Sequence, residues 1–215
     1  AMTLRHVSIT ATQVRQRLGD GLPRLGASPL GSGRQHFAWE DDTAMKTQYY
    51  TASSLDGFIA TEDDSLEWLF PLGDLNESSY PAFIAEVGAL AMGASTYEWM
   101  RRNADTVAAE TGSPWPYTQP TWIFTHRPLP AIEGADIRFV QGDVRDVHAQ
   151  MRKAAGTKNI WIVGGGDLAG QFHDAGLLDE LIIQIGSVTL GKGKQVFPRR
   201  VLSPTLRLTT VRQMG

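Results

Sequence analysis

"IWIVGGGDLAG", residues 160–170, is the stretch on which the reading of the chain turns. The run Ile160-Trp161-Ile162-Val163 has the composition of a buried strand. It stops at three successive glycines, and Asp167-Leu168-Ala169 then opens a helical pattern. Adjacent glycines weaken any element that contains them, because glycine loses more backbone freedom on folding than other residues. Something at this turn therefore needs bare backbone. Two readings are open: a phosphate held by backbone N–H groups at a helix N-terminus, or a tight strand-to-helix turn that binds nothing.

Outward from this point, strands and helices alternate. "TQYYTAS" (47–53), "ALAMGA" (89–94), "TWIFT" (121–125), "DIRFVQG" (136–142), residues 159–163, "DELIIQIGSVTLG" (179–191) and "TLRLTTVRQ" (205–213) read as strands. Helices are expected around Phe83, Ile84 and Val87 after Ser78 or Ser79, over "STYEWMRRNA" capped by Ser95 or Thr96, and over residues 167–175. A further helix runs through "DVRDVHAQMRKAAG", capped by Asp143 and ended by Gly156, with Val144, Val147 and Met151 on one face. "SSLDGFIATEDDS" reads as a loop and "KGKQVFP" as a turn. This order implies an α/β fold with a sheet covered on both faces. Residues 1–45 read as an N-terminal extension: a short helix in "TATQVRQRLGDG", a Gly/Pro/Ser-rich linker, and a strand-like "RQHFAWE" (34–40). Residues 46–215 form the main domain.

Composition narrows the function. The chain has 215 residues, enough for a substantial core, and 42% hydrophobic content argues against disorder. A net charge of −3 gives no reason to expect nucleic acid or an anionic membrane as partner. The absence of cysteine excludes disulfides, thiol nucleophiles and Cys-type zinc sites, and suits a cytoplasmic location. No metal site is expected. With no signal pattern and no apolar run of ~18 residues, neither secretion nor a membrane span is expected. A standard dinucleotide fingerprint is not met. It belongs in the first βαβ unit with an acid ~20 residues on, whereas here Asp179 and Glu180 precede the next strand.

Four pieces in order, "ASSLDGFIA" (52–60), "MGASTYE" (92–98), "IFTHRP" (123–128) and "IVGGGDLAGQFHDAGLLDELIIQIGSVTLGKGKQVF" (162–197), resemble the dihydrofolate reductase superfamily. Within it they are most similar to the reductase domain of the riboflavin-biosynthesis deaminase/reductase and its stand-alone relatives. The resemblance spans about residues 46–213. It implies a dihydrofolate reductase-like, mainly parallel sheet with an antiparallel terminal part and helices on both faces. It also implies an NADPH-dependent oxidoreductase, with NADH not excluded, acting on a small pteridine- or pyrimidine-type substrate. The runner-up is a non-catalytic nucleotide-binding or interaction protein that keeps the fold.

Carried over residue by residue, the resemblance puts Gly164, Gly165 and Gly166 against the cofactor pyrophosphate, with the N–H groups of Asp167 and Leu168 at the helix start. Gly93 and Thr96 stand on its other side. Thr125 and Arg127 fall at the adenosine ribose, and Ala52 and Ile59 bracket the nicotinamide. Asp56, Gln184 and Asp74 are the candidate catalytic residues, with Glu77 near Asp74. Each has a plainer reading: Thr96 as a helix cap, Arg127 as loop charge, Asp56 as the turn residue of Asp-Gly, and Gln184 as a polar intruder needing a buried partner. Trp68 and Phe70 are candidate pocket walls, and Lys192, Lys194, Arg101 and Arg102 candidate phosphate ligands. His126 and His173 read as surface. The resemblance further implies a cis peptide bond between Gly164 and Gly165, and pairing into a homodimer through sheet edges. Ala94 departs from the family, which often has an arginine there for the 2′-phosphate, so the reading of that phosphate falls to Arg127. The chain also looks to end before the family's last edge strand, leaving an edge for residues 34–40 to cover.

Overall fold

A computed structural model describes residues 6–13, 44–72, 78–202 and 206–214. Its strands are β1 (His6–Gln13), β2 (Thr47–Ser53), β3 (Phe58–Ala60), β4 (Val87–Gly93), β5 (Thr121–Phe124), β6 (Ile137–Val140), β7 (Asn159–Gly164), β8 (Glu180–Ile185), β9 (Lys194–Gln195) and β10 (Leu206–Met214). The helices are α1 (Tyr80–Ala85), α2 (Ala94–Arg102), α3 (Ala104–Thr111), α4 (Val144–Ala155) and α5 (Gly166–Asp174). Eight strands form one sheet in the order β10-β1-β8-β2-β7-β4-β5-β6. From β8 to β6 neighbours run parallel, while β1 is antiparallel to both β8 and β10. The expected fold class, a mainly parallel sheet with an antiparallel terminal part, is the one found.

The period-two alternation of strand side chains divides the core between the two faces. Tyr49, Ala89, Ala91, Trp122, Ile160 and Ile162 pack against Val147 and Met151 of α4 and Leu168 and Phe172 of α5. Their neighbours along the strands, Tyr50, Leu90, Met92, Ile123 and Trp161, pack against Tyr97 and Met100 of α2 and Val107 of α3. Each such large apolar side chain removed from water contributes about 1.5–3 kcal/mol. Leu168 and Phe172 thereby fix α5, and with it the glycines at its start. The local signals for α4 act as expected. Asp143 accepts a hydrogen bond from the Arg145 backbone N–H at 2.8 Å, and Gly156 ends the helix at φ +67°.

Several elements differ from their reading. Thr10–Gln13, the first part of the expected N-terminal helix, belongs to strand β1, which runs from His6 to Gln13. Its sequence alternates Val7, Ile9, Ala11 with Ser8, Thr10, Thr12, and this β-branched, period-two pattern suits a strand placed beside β8. The remainder of that helix, the linker and "RQHFAWE" lie outside the described residues. Helix α2 starts from Gly93, not from Ser95 or Thr96, because β4 runs directly into it. Val87 belongs to β4, and a further helix, α3, follows α2 after Asn103. Within the expected loop and turn, β3 and β9 pair antiparallel, and β8 ends at Ile185. The Gly164–Gly165 peptide bond is cis.

Candidate active site

The carboxyl ends of the parallel strands come together at one end of the sheet. Ala52 of β2 pairs in register with Gln184 of β8, Met92 of β4 with Gly164, and Gly93 with Phe124. In open α/β sheets ligands bind outside these ends. The structure brings Ala52, Gly93, Thr125, Gly164 and Gln184 to this edge from separate strands.

The three glycines serve different ends. A Cβ on Gly164 would lie 2.9 Å from Thr96 Oγ1. One on Gly166 would lie 2.5 Å from the Val196 carbonyl oxygen, and closer still to that of Gln195. Both glycines are therefore required by the chain's own packing. Gly165 differs: the nearest atom to its Cβ position is Ile59 Cδ1 at 3.9 Å. The Cβ position of Gly93 is 3.7 Å from Gly164 O and Gly165 N. Ile59, Gly93, Thr96, Gly164 and Gly165 thus make one bare-backbone surface, and Gly165 is the part of it open to an approaching group. At the start of α5, Leu168 is buried. The Asp167 carboxylate accepts hydrogen bonds from Gln171 (2.9 Å) and Arg199 (3.0 Å). Those bonds hold it below the usual carboxylate range. The segment after β9 closes over α5 here, with Arg199 also bonded to Asp174 at 2.7 Å.

Thr125 is buried. Its hydroxyl donates to the Arg127 carbonyl at 2.8 Å and accepts from the Arg127 N–H at 3.1 Å, which fixes the turn after β5. The Arg127 guanidinium donates to Glu98 of α2. Thr125, Arg127, Pro128, Leu129, Phe139 and Val140 line a cavity of about 350 Å³. Its apolar walls and single cation suit a flat heterocycle bearing an anionic or polar sugar.

Asp56 acts as a clamp. Its carboxylate accepts from Ser54 Oγ at 2.6 Å, from the Leu190 N–H at 3.1 Å and from the Gly191 N–H at 2.7 Å. The Ser54 bond first, and the two backbone bonds with it, hold the carboxyl below its ordinary range. The Asp-Gly turn reading is thus correct, and the turn is tied to a segment 134 residues away. Asp56 also borders a second cavity, of about 510 Å³, with Phe58, Phe197, Arg199 and Arg200.

On the other side of the sheet end, Gln184 has found its buried partners. Its Nε2 donates to the Tyr50 hydroxyl and to Ser79 Oγ, the latter at 3.2 Å, and the two hydroxyls lie 3.1 Å apart. Burial pushes the Tyr50 phenol above its usual value, so it stays protonated. Its ring stacks on Phe83 at 4.3 Å. Tyr50, Ser79 and Glu98 were missed by sequence reasoning. Asp74 and Glu77 lie outside the described residues. Trp68 is half-buried, beside Gly186, and its indole N–H has no partner among the described residues. Phe70 is exposed. Two of the candidate phosphate ligands are engaged: Lys192 with Glu62 and Lys194 with Asp64. Arg101 and Arg102 are exposed on α2. His126 is exposed as expected, but His173 is only 16% exposed in its side chain because it packs edge-on against Phe197. Among the described residues no cluster is placed to hold a metal ion, and no helix is long and apolar enough to cross a membrane.

The chain is similar to known proteins. The family model of the RibD C-terminal domain matches residues 110–215. The Bacillus subtilis protein YwjB is 32% identical over 171 residues, which cover 79% of this chain and 92% of YwjB. YyaP of the same organism is 25% identical over 150 residues, 68% of this chain and 77% of YyaP. A solved structure from Shewanella sp. PV-4, of a protein whose name links it to riboflavin biosynthesis, superposes with a TM-score of 0.60 at 26% identity. The superposition covers 74% of this chain and 86% of that one. The likeness to YwjB over most of both chains and the match to the family model agree, and the chain belongs to the RibD C-terminal domain family.

Proposed function

We propose that the protein is a nicotinamide-dependent reductase acting on a C=N or C=O carbon of a small pteridine- or pyrimidine-type molecule. The observation that carries this reading is the open backbone at Gly165, beside Gly93 and facing Ile59. It lies at the carboxyl ends of parallel strands, where a pyrophosphate can approach closely. The cofactor, NADPH or NADH, supplies the hydride when bound.

The chain's own residues bind and orient. Ala52 and Ile59 bracket the nicotinamide; Gly93, Thr96, Gly164 and Gly165 receive the pyrophosphate. Gly166, Asp167 and Leu168 hold the helix start in place, and Thr125 and Arg127 receive the adenosine ribose. Gln184, with Tyr50 and Ser79, presents a neutral set of donors and acceptors to the substrate ring. Asp56 is ionised and fully engaged, so it acts by tying the loop that covers the site, not by donating a proton. Tyr50 holds a proton on its hydroxyl beside Gln184. The family membership and the likeness to the Shewanella protein support a riboflavin-pathway type of substrate. All these residues fall within 46–215, which supports that span as the part that carries the site, with β1 of residues 6–13 adding a strand to its sheet.

Titration with NADPH and with NADH, followed by nicotinamide fluorescence, tests cofactor binding. Loss of the reduced nicotinamide on adding dihydrofolate or the ribosylaminopyrimidine phosphate of riboflavin synthesis tests turnover. Binding without turnover of either compound favours the non-catalytic nucleotide-binding reading. Binding of neither nucleotide overturns both.

A further inference from the structure

The cation expected to read a cofactor's 2′ position already has a partner. Arg127 lines the 350 Å³ cavity, and its Nη2 donates to Glu98 Oε2. The Arg127 side chain is 60% exposed and that of Glu98 28%. An ion pair this open contributes little to stability by itself, because water and salt screen it. Its importance lies in what it does to an incoming ligand.

Two nucleotide types meet this pair differently. A 2′-phosphate brings close to two negative charges to Arg127. To gain that contact it displaces Glu98 from the guanidinium, and the Glu98 carboxylate stays nearby as a like charge. A bare 2′-hydroxyl carries no charge and donates a hydrogen bond, which a carboxylate accepts. Nucleotide-binding folds use this chemistry generally: an acid holds the 2′-hydroxyl, and an arginine accommodates the 2′-phosphate. Here both side chains are present and bonded to each other. No second cation is supplied from the start of α2, where residue 94 is alanine. The turn that presents Arg127 is rigid, since Thr125 bonds it at both the Arg127 N–H and the Arg127 carbonyl.

Resting on the reductase reading above, we infer that Glu98 is the residue that sets the choice between 2′-phosphorylated and 2′-hydroxyl nucleotides, by holding Arg127 at this cavity. Glu98 neutralises the cation that would favour the phosphate and offers an acceptor to the hydroxyl. The unmodified chain therefore takes both nucleotides, with dissociation constants within about tenfold of each other.

The test is equilibrium binding of NADPH and NADH, by nicotinamide fluorescence, to the wild type, Glu98→Gln, Glu98→Ala and Arg127→Ala. Melting curves serve to confirm that each variant folds. Glu98→Gln and Glu98→Ala should each move the affinity ratio toward NADPH by about tenfold or more, equivalent to about 1.4 kcal/mol. That shift should shrink as salt is raised. Arg127→Ala should move the ratio toward NADH. An unchanged ratio in both Glu98 variants, or weaker NADPH binding by them, overturns the inference while leaving the reductase reading intact. Failure of every form, wild type included, to bind either nucleotide overturns the reductase reading and this inference with it.

Discussion

The Thr96 hydroxyl lies 2.9 Å from the position that a Cβ on Gly164 would take, and its methyl lies 3.5 Å away. The two residues lock the first turn of α2 against the end of β7. Gly164→Ala should therefore cost about 1–3 kcal/mol, the range for overpacking a filled site. In a Thr96→Ala background the nearest remaining side-chain atom is the β-carbon, at 3.8 Å, so most of that loss should be recovered. Urea unfolding of the four proteins of the cycle measures this. Equal losses in both backgrounds would mean that another contact limits Gly164.

Gly166 gives the opposite outcome with respect to rescue. Alanine is preferred over glycine within a helix by about 1 kcal/mol, so propensity alone favours Gly166→Ala. The obstacle is backbone, namely the carbonyls of Gln195 and Val196, and no side-chain truncation can relieve it. The expected net effect is destabilisation of at least about 1 kcal/mol. A more stable Gly166→Ala protein would refute the close packing of this strap on α5.

Asp56 links the loop to pH. Its folded value lies below the ordinary 3.8. What its ionisation contributes is thus fully present above the ordinary value, and is lost as pH falls through the lower, folded one. Hydrogen-exchange protection of the Leu190 and Gly191 amides, both donors to Asp56, should decline over that acidic range. Asp56→Asn should show reduced protection at neutral pH and no such decline. Protection that is independent of pH in the wild type counts against the clamp.

How much of this was legible depends on how far apart the partners lie. Helix α4 could be read because Asp143, the 144/147/151 spacing and Gly156 are all local. Strand β2 was legible for the same reason. Thr96 is not a cap, because β4 runs straight into α2 from Gly93, and its contact with Gly164 of β7 leaves no local trace in the sequence. Tyr50 and Gln184 are separated by 134 positions, and Arg127 and Glu98 by 29. No local pattern joins them; only the sheet order does. In β1 the alternation of Val7, Ile9 and Ala11 is a strand signal, but it is short and its partners β8 and β10 lie far along the chain.

Gln184, Tyr50 and Ser79 should act on the substrate and not on the cofactor. Gln184→Ala should lower kcat/KM by about tenfold or more, as expected when a hydrogen bond worth about 1.5 kcal/mol is lost. The dissociation constant for NADPH should stay within about twofold. Tyr50→Phe should cost about 1 kcal/mol of stability, since it leaves the Gln184 amide with Ser79 alone. A Gln184→Ala protein with weakened cofactor binding and intact kcat would reassign this cluster to the nucleotide.

The position of β1 also bears on how the sheet is made during synthesis. Its partners, β8 and β10, lie near the other end of the sequence. At about 5–20 residues per second, β8 leaves the ribosome roughly 10–30 s after β1 does. Throughout that interval the β-branched segment His6–Gln13 has neither of its partners, while β2, β4, β5, β6 and β7 can already form their parallel sheet. Pairing over so large a sequence separation is slow, and an unpaired strand is a template for association with other chains. The waiting strand, more than the strand ends that form the candidate site, is therefore where crowding and temperature should act on the yield of folded protein.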